Sequence, residues 1–228
     1  FKSYFLSNII NLTCFLSYAK YLVFNSCKKI YSIILSSKDY MICLKRVLLR
    51  NGLPIQIIHY VTARCNLRCE HCFYKETLDK KDPGEQSLET FKKTSKQIGP
   101  VLWYALAGGE VFIRKDFVNL MDIIISKCRP KYISIPTNGW YVNRTLNFVQ
   151  RILRKHPNIF FSLYFSIDGF EEVHNKIRGP KSFENLKKTY FKLKKIQNYY
   201  PNFNLNVVTT ITEDNYNVSI NRDVFSFN

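Results

Sequence analysis

Between residues 51 and 214, short and nearly continuous apolar runs alternate with stretches whose apolar residues recur every three or four positions. The runs are Ile55–Val61, Val101–Ala107, Tyr132–Ile135, Ile159–Ile167 and Phe203–Ile211. Near-continuous apolarity over this length suits parallel strands buried on both faces. The intervening stretches read as helices. Leu88, Phe91, Ser95 and Ile98 mark the first, and Phe117, Leu120, Met121, Ile124 and Cys128 the second. Leu146, Val149 and Leu153 mark the third, and Phe183, Leu186, Tyr190, Leu193 and Gln197 the fourth, with Ser182 as its expected N-cap. This repetition predicts successive right-handed βαβ units in an α/β fold. No glycine-rich dinucleotide fingerprint follows the first run, so a nucleotide-binding doubly wound sheet is not supported.

Residues 1–50 differ in character. Apolar clusters such as Tyr4-Phe5-Leu6, Ile9-Ile10 and Tyr21-Leu22-Val23-Phe24 alternate with Ser, Asn and Lys. Eight Lys or Arg stand against a single acid, Asp39, for a net of 8 − 1 = +7. No stretch reaches the roughly 20 apolar residues of a membrane span, and no small-residue cleavage site follows a compact apolar core. A basic, amphipathic helical extension of this kind either lies on a membrane surface or covers the bottom or side of the following domain.

The chain starts at Phe1 rather than Met and stops at Phe227-Asn228 without a closing element, as expected of a fragment. The expected organisation is an extension over 1–50, a core over 51–214, and the start of a further element over 215–228. Lys and Arg outnumber Asp and Glu 34 to 17, a net of +17. The lysines are spread along helical surfaces rather than gathered in one patch, so no nucleic-acid partner is expected. Seven cysteines, with Cys14, Cys27, Cys43 and Cys128 isolated, point away from a secreted disulfide framework and toward a reducing compartment.

The other three cysteines carry the chemistry. Cys65, Cys69 and Cys72 are spaced C-x3-C-x2-C directly after the first apolar run. Gly108-Gly109-Glu110 follows the second run, Thr137-Asn138-Gly139 the third and Asp168-Gly169 the fourth. Thr209, Thr210 and Thr212 close the fifth. Polar and glycine-rich groups after strand ends are where α/β barrels assemble their sites. With His71, the cysteines could form a Cys3His zinc site. Adjacent His71 and Cys72 rarely both reach one tetrahedral ion, however, and three thiolates without a fourth suit a 4Fe–4S cluster with one iron left open.

On these residues the chain resembles the radical SAM superfamily. The carriers are Cys65-x3-Cys69-x2-Cys72 with an aromatic ring just before the last cysteine, and Gly108-Gly109-Glu110. Ser166-Ile167-Asp168-Gly169 and His174-Asn175-Lys176-Ile177-Arg178-Gly179 make it similar to one subgroup in particular. That subgroup includes molybdopterin-precursor synthases, anaerobic sulfatase maturases and peptide-modifying maturases with C-terminal extra-cluster domains. The likeness covers about residues 54–214, with Val111 standing where the family usually has Pro. It implies an incomplete (β/α)6 barrel, a partial TIM barrel of which five strands are present. It also implies a 4Fe–4S cluster and S-adenosylmethionine as cofactors, and hydrogen abstraction from a peptide or small-molecule substrate. An electron donor such as flavodoxin or ferredoxin is implied too, in the cytoplasm, at the membrane periphery if 1–50 touches it.

Carried over by residue, the resemblance makes Cys65, Cys69 and Cys72 the cluster ligands and packs His71 against the adenine. Gly108 and Gly109 would approach the methionine amino group, with Glu110 fixing their loop. Ser166 would bind the ribose or the carboxylate, and Arg178 the carboxylate. Thr137, Asn138 and the Thr209-Thr210 region, Thr209 first, would serve the sugar side. Asp168 is expected to stabilise its loop rather than to do chemistry, and no residue is nominated as catalytic.

Overall fold

The computed structural model describes residues 37–49, 52–78 and 85–217. The apolar clusters before residue 37 and the element expected after 217 lie outside the described residues. Five strands form one parallel sheet in the order β1-β2-β3-β4-β5, so each new strand adds to the edge of the last. They are β1 (Gln56–Thr62), β2 (Trp103–Gly108), β3 (Tyr132–Thr137), β4 (Phe160–Ser166) and β5 (Phe203–Val208). A helix over 37–49 (α1) precedes them. Between strands lie α2 (Leu88–Ile98), α3 (Phe117–Cys128), α4 (Val142–Lys155), α5 (Glu171–Arg178) and α6 (Ser182–Gln197). A single 3-10 turn, Val111–Ile113, follows β2.

Strand-helix alternation with in-order parallel strands is the first five-sixths of the expected barrel. The helices cover one face of the sheet, and the core lies there. Phe161 of β4 stacks on Phe203 of β5 and meets Phe148 of α4, while Phe165 packs on Tyr190 of α6. His59 of β1 stacks on Phe91 of α2 and shares a 3.0 Å hydrogen bond with the Tyr104 hydroxyl, so it is a satisfied core histidine. Ile133, Ile135, Leu163 and Phe165 are fully buried in this layer.

The other face departs from the expectation of strands buried on both sides. In β1 the residues alternate, with Ile58 59% and Tyr60 57% exposed. The register runs Ile58–Ala105–Ser134–Ser162–Asn204 across all five strands, and Pro136–Tyr164–Asn206 one step higher. This is the inner face of the barrel wall, and among the described residues it is only partly covered.

Two boundaries differ from the sequence pattern. The stretch 171–178 is a separate helix, α5, too short and too polar to show an apolar period. Ser182 is not an N-cap: Lys181 occupies that position in the left-handed region, and Ser182 turns its hydroxyl to the Gly179 carbonyl and the Asn175 side chain. Those partners exist only because α5 ends directly before α6.

Helix α1 docks by its polar side. Asp39, 5% exposed, receives Arg129 at 3.0 Å and Lys131 at 2.9 Å, which hold its carboxyl below the usual range against the opposing effect of burial. Arg46 donates to the carbonyls of Pro54, Ile98 and Pro100. Pro100, Arg129 and Lys131 all lie just before strands begin, so α1 sits at the end of the sheet opposite the strands' C-terminal ends.

Candidate cofactor site

The loop after β1 carries the three cysteines and is clamped from two sides. From the β2 side, Gly109 N donates to the Thr62 carbonyl at 2.7 Å and Glu110 N to the Arg64 carbonyl at 3.0 Å. This contact is so close that a Cβ at Gly108 would fall 2.3 Å from the Thr62 oxygen. One at Gly109 would fall 2.1 Å from that of Arg64. Glycine is required at both positions by the backbone of the cysteine loop itself. From the far side, Glu70 N donates to the Ile177 carbonyl of α5 at 3.0 Å. Arg64 is also held by Glu85 through two 2.8 Å bonds, and the same carboxylate receives the Thr62 hydroxyl.

Glu110 is the buried hub of the next layer, 1% exposed. Its carboxyl accepts from Phe112 N at 3.2 Å, capping the 3-10 turn, and from Asn138 N at 2.7 Å, with the Thr137 hydroxyl 3.1 Å from both oxygens. One side chain thereby ties the β2 loop to the β3 loop. Asn138 extends the connection, its Nδ2 lying 3.1 Å from Asn66 Oδ1 and 3.8 Å from Cys65 Sγ. Burial outweighs these donors and pushes Glu110 up to about 7.

A second hub lies after β4. Asp168, 1% exposed, accepts Arg178 Nε at 2.5 Å and Thr210 N at 3.0 Å. Its oxygen is 3.6 Å from His71 Nε2. Arg178, 8% exposed, also points Nη1 at Cys69 Sγ, 3.9 Å away. Burial, and secondarily the Arg178 charge, lower the His71 pKa against the pull of Asp168, so its imidazole is neutral at pH 7. His71 Nδ1 is buried with no hydrogen-bond partner among the described residues. Among the described residues no three His, Cys, Asp or Glu side chains converge closely enough to share one metal ion.

These loops enclose a cavity of about 250 Å³ at the C-terminal ends of the strands. Its walls bring together Cys65, Cys69, His71, Cys72, Gly108, Gly109, Glu110, Thr137, Asn138, Ser166 and Arg178. All but one of the residues singled out above therefore meet in one place. The exception is Thr209: within the expected Thr209-Thr210 region it is Thr210 that lines the cavity, since β5 ends at Val208 and Thr210 N then donates to Asp168. Phe73, Tyr74 and Pro136 complete the wall and had no motif to flag them, although Phe73-Tyr74 directly follow Cys72. Burial pushes the Cys65 thiol up to about 11 and raises Cys69 as well. For Cys69 burial outweighs the lowering effect of the nearby Arg178 charge, so a metal that takes these groups as thiolates must displace their protons.

The raised Glu110 pKa has a measurable consequence. Its stabilising contribution is fully present below the ordinary carboxyl pKa of 4.5 and is lost as pH rises through about 7. The stability advantage of the parent over Glu110→Gln should therefore shrink between pH 5 and pH 8, by on the order of 3 kcal/mol. Urea unfolding at both pH values checks it. A pH-independent difference would contradict a protonated Glu110.

The sequence profile described as the Radical SAM superfamily matches residues 59–217. The AlbA protein of subtilosin biosynthesis from Bacillus subtilis is 30% identical over 142 residues, which is 60% of this chain and 30% of AlbA. The structure of native anSMEcpe with bound AdoMet superposes with a TM-score of 0.52 at 23% identity, covering 67% of this chain and 42% of that one. Streptococcus suis SuiB bound to precursor peptide SuiA gives 0.51 at 18% identity, covering 72% of this chain and 35% of SuiB. The two structural likenesses show the shared fold. The chain spans about a third of the length of AlbA. With the profile covering most of its length and the cysteine loop, the glycine pair and Glu110 all inside the match, the chain belongs to the radical SAM superfamily.

Proposed function

We propose that this chain is the cofactor-holding part of a radical SAM enzyme that modifies a peptide. The observation that carries the reading is that three buried or half-buried cysteines of one loop line the same cavity at the strand ends. The donor set fits a cluster: three cysteines on one clamped loop leave one iron of four unligated by protein. The buried, unpartnered Nδ1 of His71 is a polar atom awaiting a ligand. A cluster held by Cys65, Cys69 and Cys72 would supply one-electron reduction of S-adenosylmethionine and, through it, radical hydrogen abstraction from the substrate.

The protein's own part is placement and charge. Cys65, Cys69 and Cys72 hold the cluster. Gly108 and Gly109 bring bare backbone to the cavity wall, and Glu110 keeps that backbone and Asn138 in register. Neutral His71 offers a flat ring for the adenine. Arg178, oriented by Asp168, supplies a cation both for the Cys69 thiolate and for the methionyl carboxylate. Ser166, Thr137 and Thr210 offer hydroxyls to the sugar. A net charge of +17 favours encounter with an acidic electron carrier such as flavodoxin or ferredoxin. The peptide assignment is supported by the likeness to SuiB, solved with its precursor peptide, and to AlbA.

Anaerobic reconstitution with iron and sulfide should give a brown protein carrying about four irons and four sulfides per chain. Cys65→Ala, Cys69→Ala and Cys72→Ala should each lose the colour while keeping the parent's circular dichroism. A colourless parent, or stoichiometric zinc without sulfide, would contradict the assignment.

We further propose that the enzyme rests on an anionic membrane surface through α1. Its polar residues Asp39 and Arg46 face the protein, leaving Tyr40, Met41, Leu44, Val47 and Leu48 each about half exposed or more, beside exposed Lys38 and Lys45. Apolar side chains outward and flanking lysines are the arrangement that binds an anionic interface. No helix of the described residues is long and apolar enough to cross a membrane. The chain should co-sediment with vesicles containing phosphatidylserine, and Leu44→Glu with Leu48→Glu should reduce the bound fraction at least about fivefold. Equal recovery of parent and variant would remove the membrane contact.

A further inference from the structure

The inner face of the sheet carries a chemical character that the cofactor site does not explain. Its register row Ile58–Ala105–Ser134–Ser162–Asn204, and the row Pro136–Tyr164–Asn206 above it, contain no Asp, Glu, Lys or Arg. The lowest row, Gln56–Trp103–Tyr132–Phe160, contains none either. This is a charge-free wall in a chain with 34 basic and 17 acidic residues. It is also not an aliphatic core. Trp103 Nε1 donates to Ser134 Oγ at 2.8 Å, and the Tyr132 and Tyr164 hydroxyls share a 2.8 Å hydrogen bond. Ser162, 1% exposed in the centre of the face, has a hydroxyl with no partner among the described residues.

The wall runs directly into the cofactor cavity. Pro136 and Ser166 lie at inner-face positions of β3 and β4, and both line that cavity. The inner wall and the cofactor cavity are therefore contiguous, so a substrate entering from inside the barrel would pass along this wall.

We infer that this face selects an uncharged substrate segment rich in aromatic and amide groups. The inference rests on the radical SAM reading above and names which part of a peptide the barrel accepts. A carboxylate or phosphate laid against Tyr60, Trp103, Tyr132 and Tyr164 would lose its water and find no cation on these strands, an uncompensated desolvation. Aromatic side chains find ring faces and edges instead. Backbone or Asn and Gln amides find the Asn204 and Asn206 side chains. Long-range attraction by the net positive charge brings acidic molecules to the surface, and the inner wall then discriminates against them.

The test replaces Tyr164 by the photo-crosslinker p-benzoylphenylalanine in the full chain. The protein is irradiated with a random library of synthetic decapeptides, and the attached sequences are read by mass spectrometry. Tyr199, 81% exposed in the connection between α6 and β5, carries the same crosslinker as the control for surface charge. Relative to position 199, peptides captured at 164 should be enriched at least about threefold in Tyr, Phe, Trp, Asn and Gln and depleted similarly in Asp and Glu. Tyr60→p-benzoylphenylalanine, at a more exposed inner position, gives the same readout where loss of the Tyr132 hydrogen bond perturbs the 164 variant. Acidic enrichment at 164 and 60, or the same composition as at 199, overturns the inference. Crosslinking needs neither cluster nor reductant, so its failure in a protein that reconstitutes normally would leave the cofactor assignment standing. Success in a protein that does not take up iron would show the reverse.

Discussion

The architecture of this site depends on how closely two backbone loops approach each other. Gly108 and Gly109 press against the carbonyls of Thr62 and Arg64 so tightly that no side chain fits between them. Two backbone hydrogen bonds close the contact. The cysteine loop, which has little regular structure of its own, borrows its shape from this contact. The family resemblance accounts for the glycines by their nearness to a bound methionine. The packing supplies a second and independent reason, since the loop that offers the thiols would be displaced by a methyl group at either position. A glycine pair that holds its neighbour loop and bares its backbone to the cavity serves binding and folding at once.

Behind that contact stand two buried carboxyls with opposite roles. Glu110 has no cation in bonding contact among the described residues, and burial raises it to about 7, so it is roughly half ionised at neutral pH while it gathers the β2 and β3 loops. Asp168 is paired with Arg178 and anchors the β4 and β5 ends together with His71. The first is a polar knot that joins two loops; the second keeps a guanidinium beside Cys69. A site that holds an anionic cluster benefits from the second, because positive charge is delivered next to a thiolate.

Much of this was legible in the sequence, for identifiable reasons. Strands such as Ile159–Ile167 stood out because a covered β-strand cannot dilute its apolar residues with charge, and the chemistry stood out because it recurred after each strand end. What stayed hidden was set by contacts between distant residues. Helix α5 has too few turns for its period to emerge from the polar run Glu171–Arg178. Ser182 looks like a cap until Gly179 and Asn175 are seen to claim its hydroxyl. Which member of the Thr209-Thr210 pair reaches the cavity depends on where the strand ends, at Val208. The clamp on Arg64 by Glu85, and the half-open inner face where full burial was expected, are likewise facts of assembly, since neither leaves a local pattern.

The central claim is that Cys65, Cys69 and Cys72 hold a four-iron cluster with one iron free to bind S-adenosylmethionine. Mössbauer spectroscopy of the iron-57-reconstituted chain, with and without S-adenosylmethionine, addresses it most directly. The account predicts that about one iron in four changes its isomer shift when the cofactor is added, as nitrogen and oxygen ligands join it, while the three thiolate-bound irons keep theirs. Four irons that are indifferent to S-adenosylmethionine, or a protein that takes up no cluster at all, would contradict it.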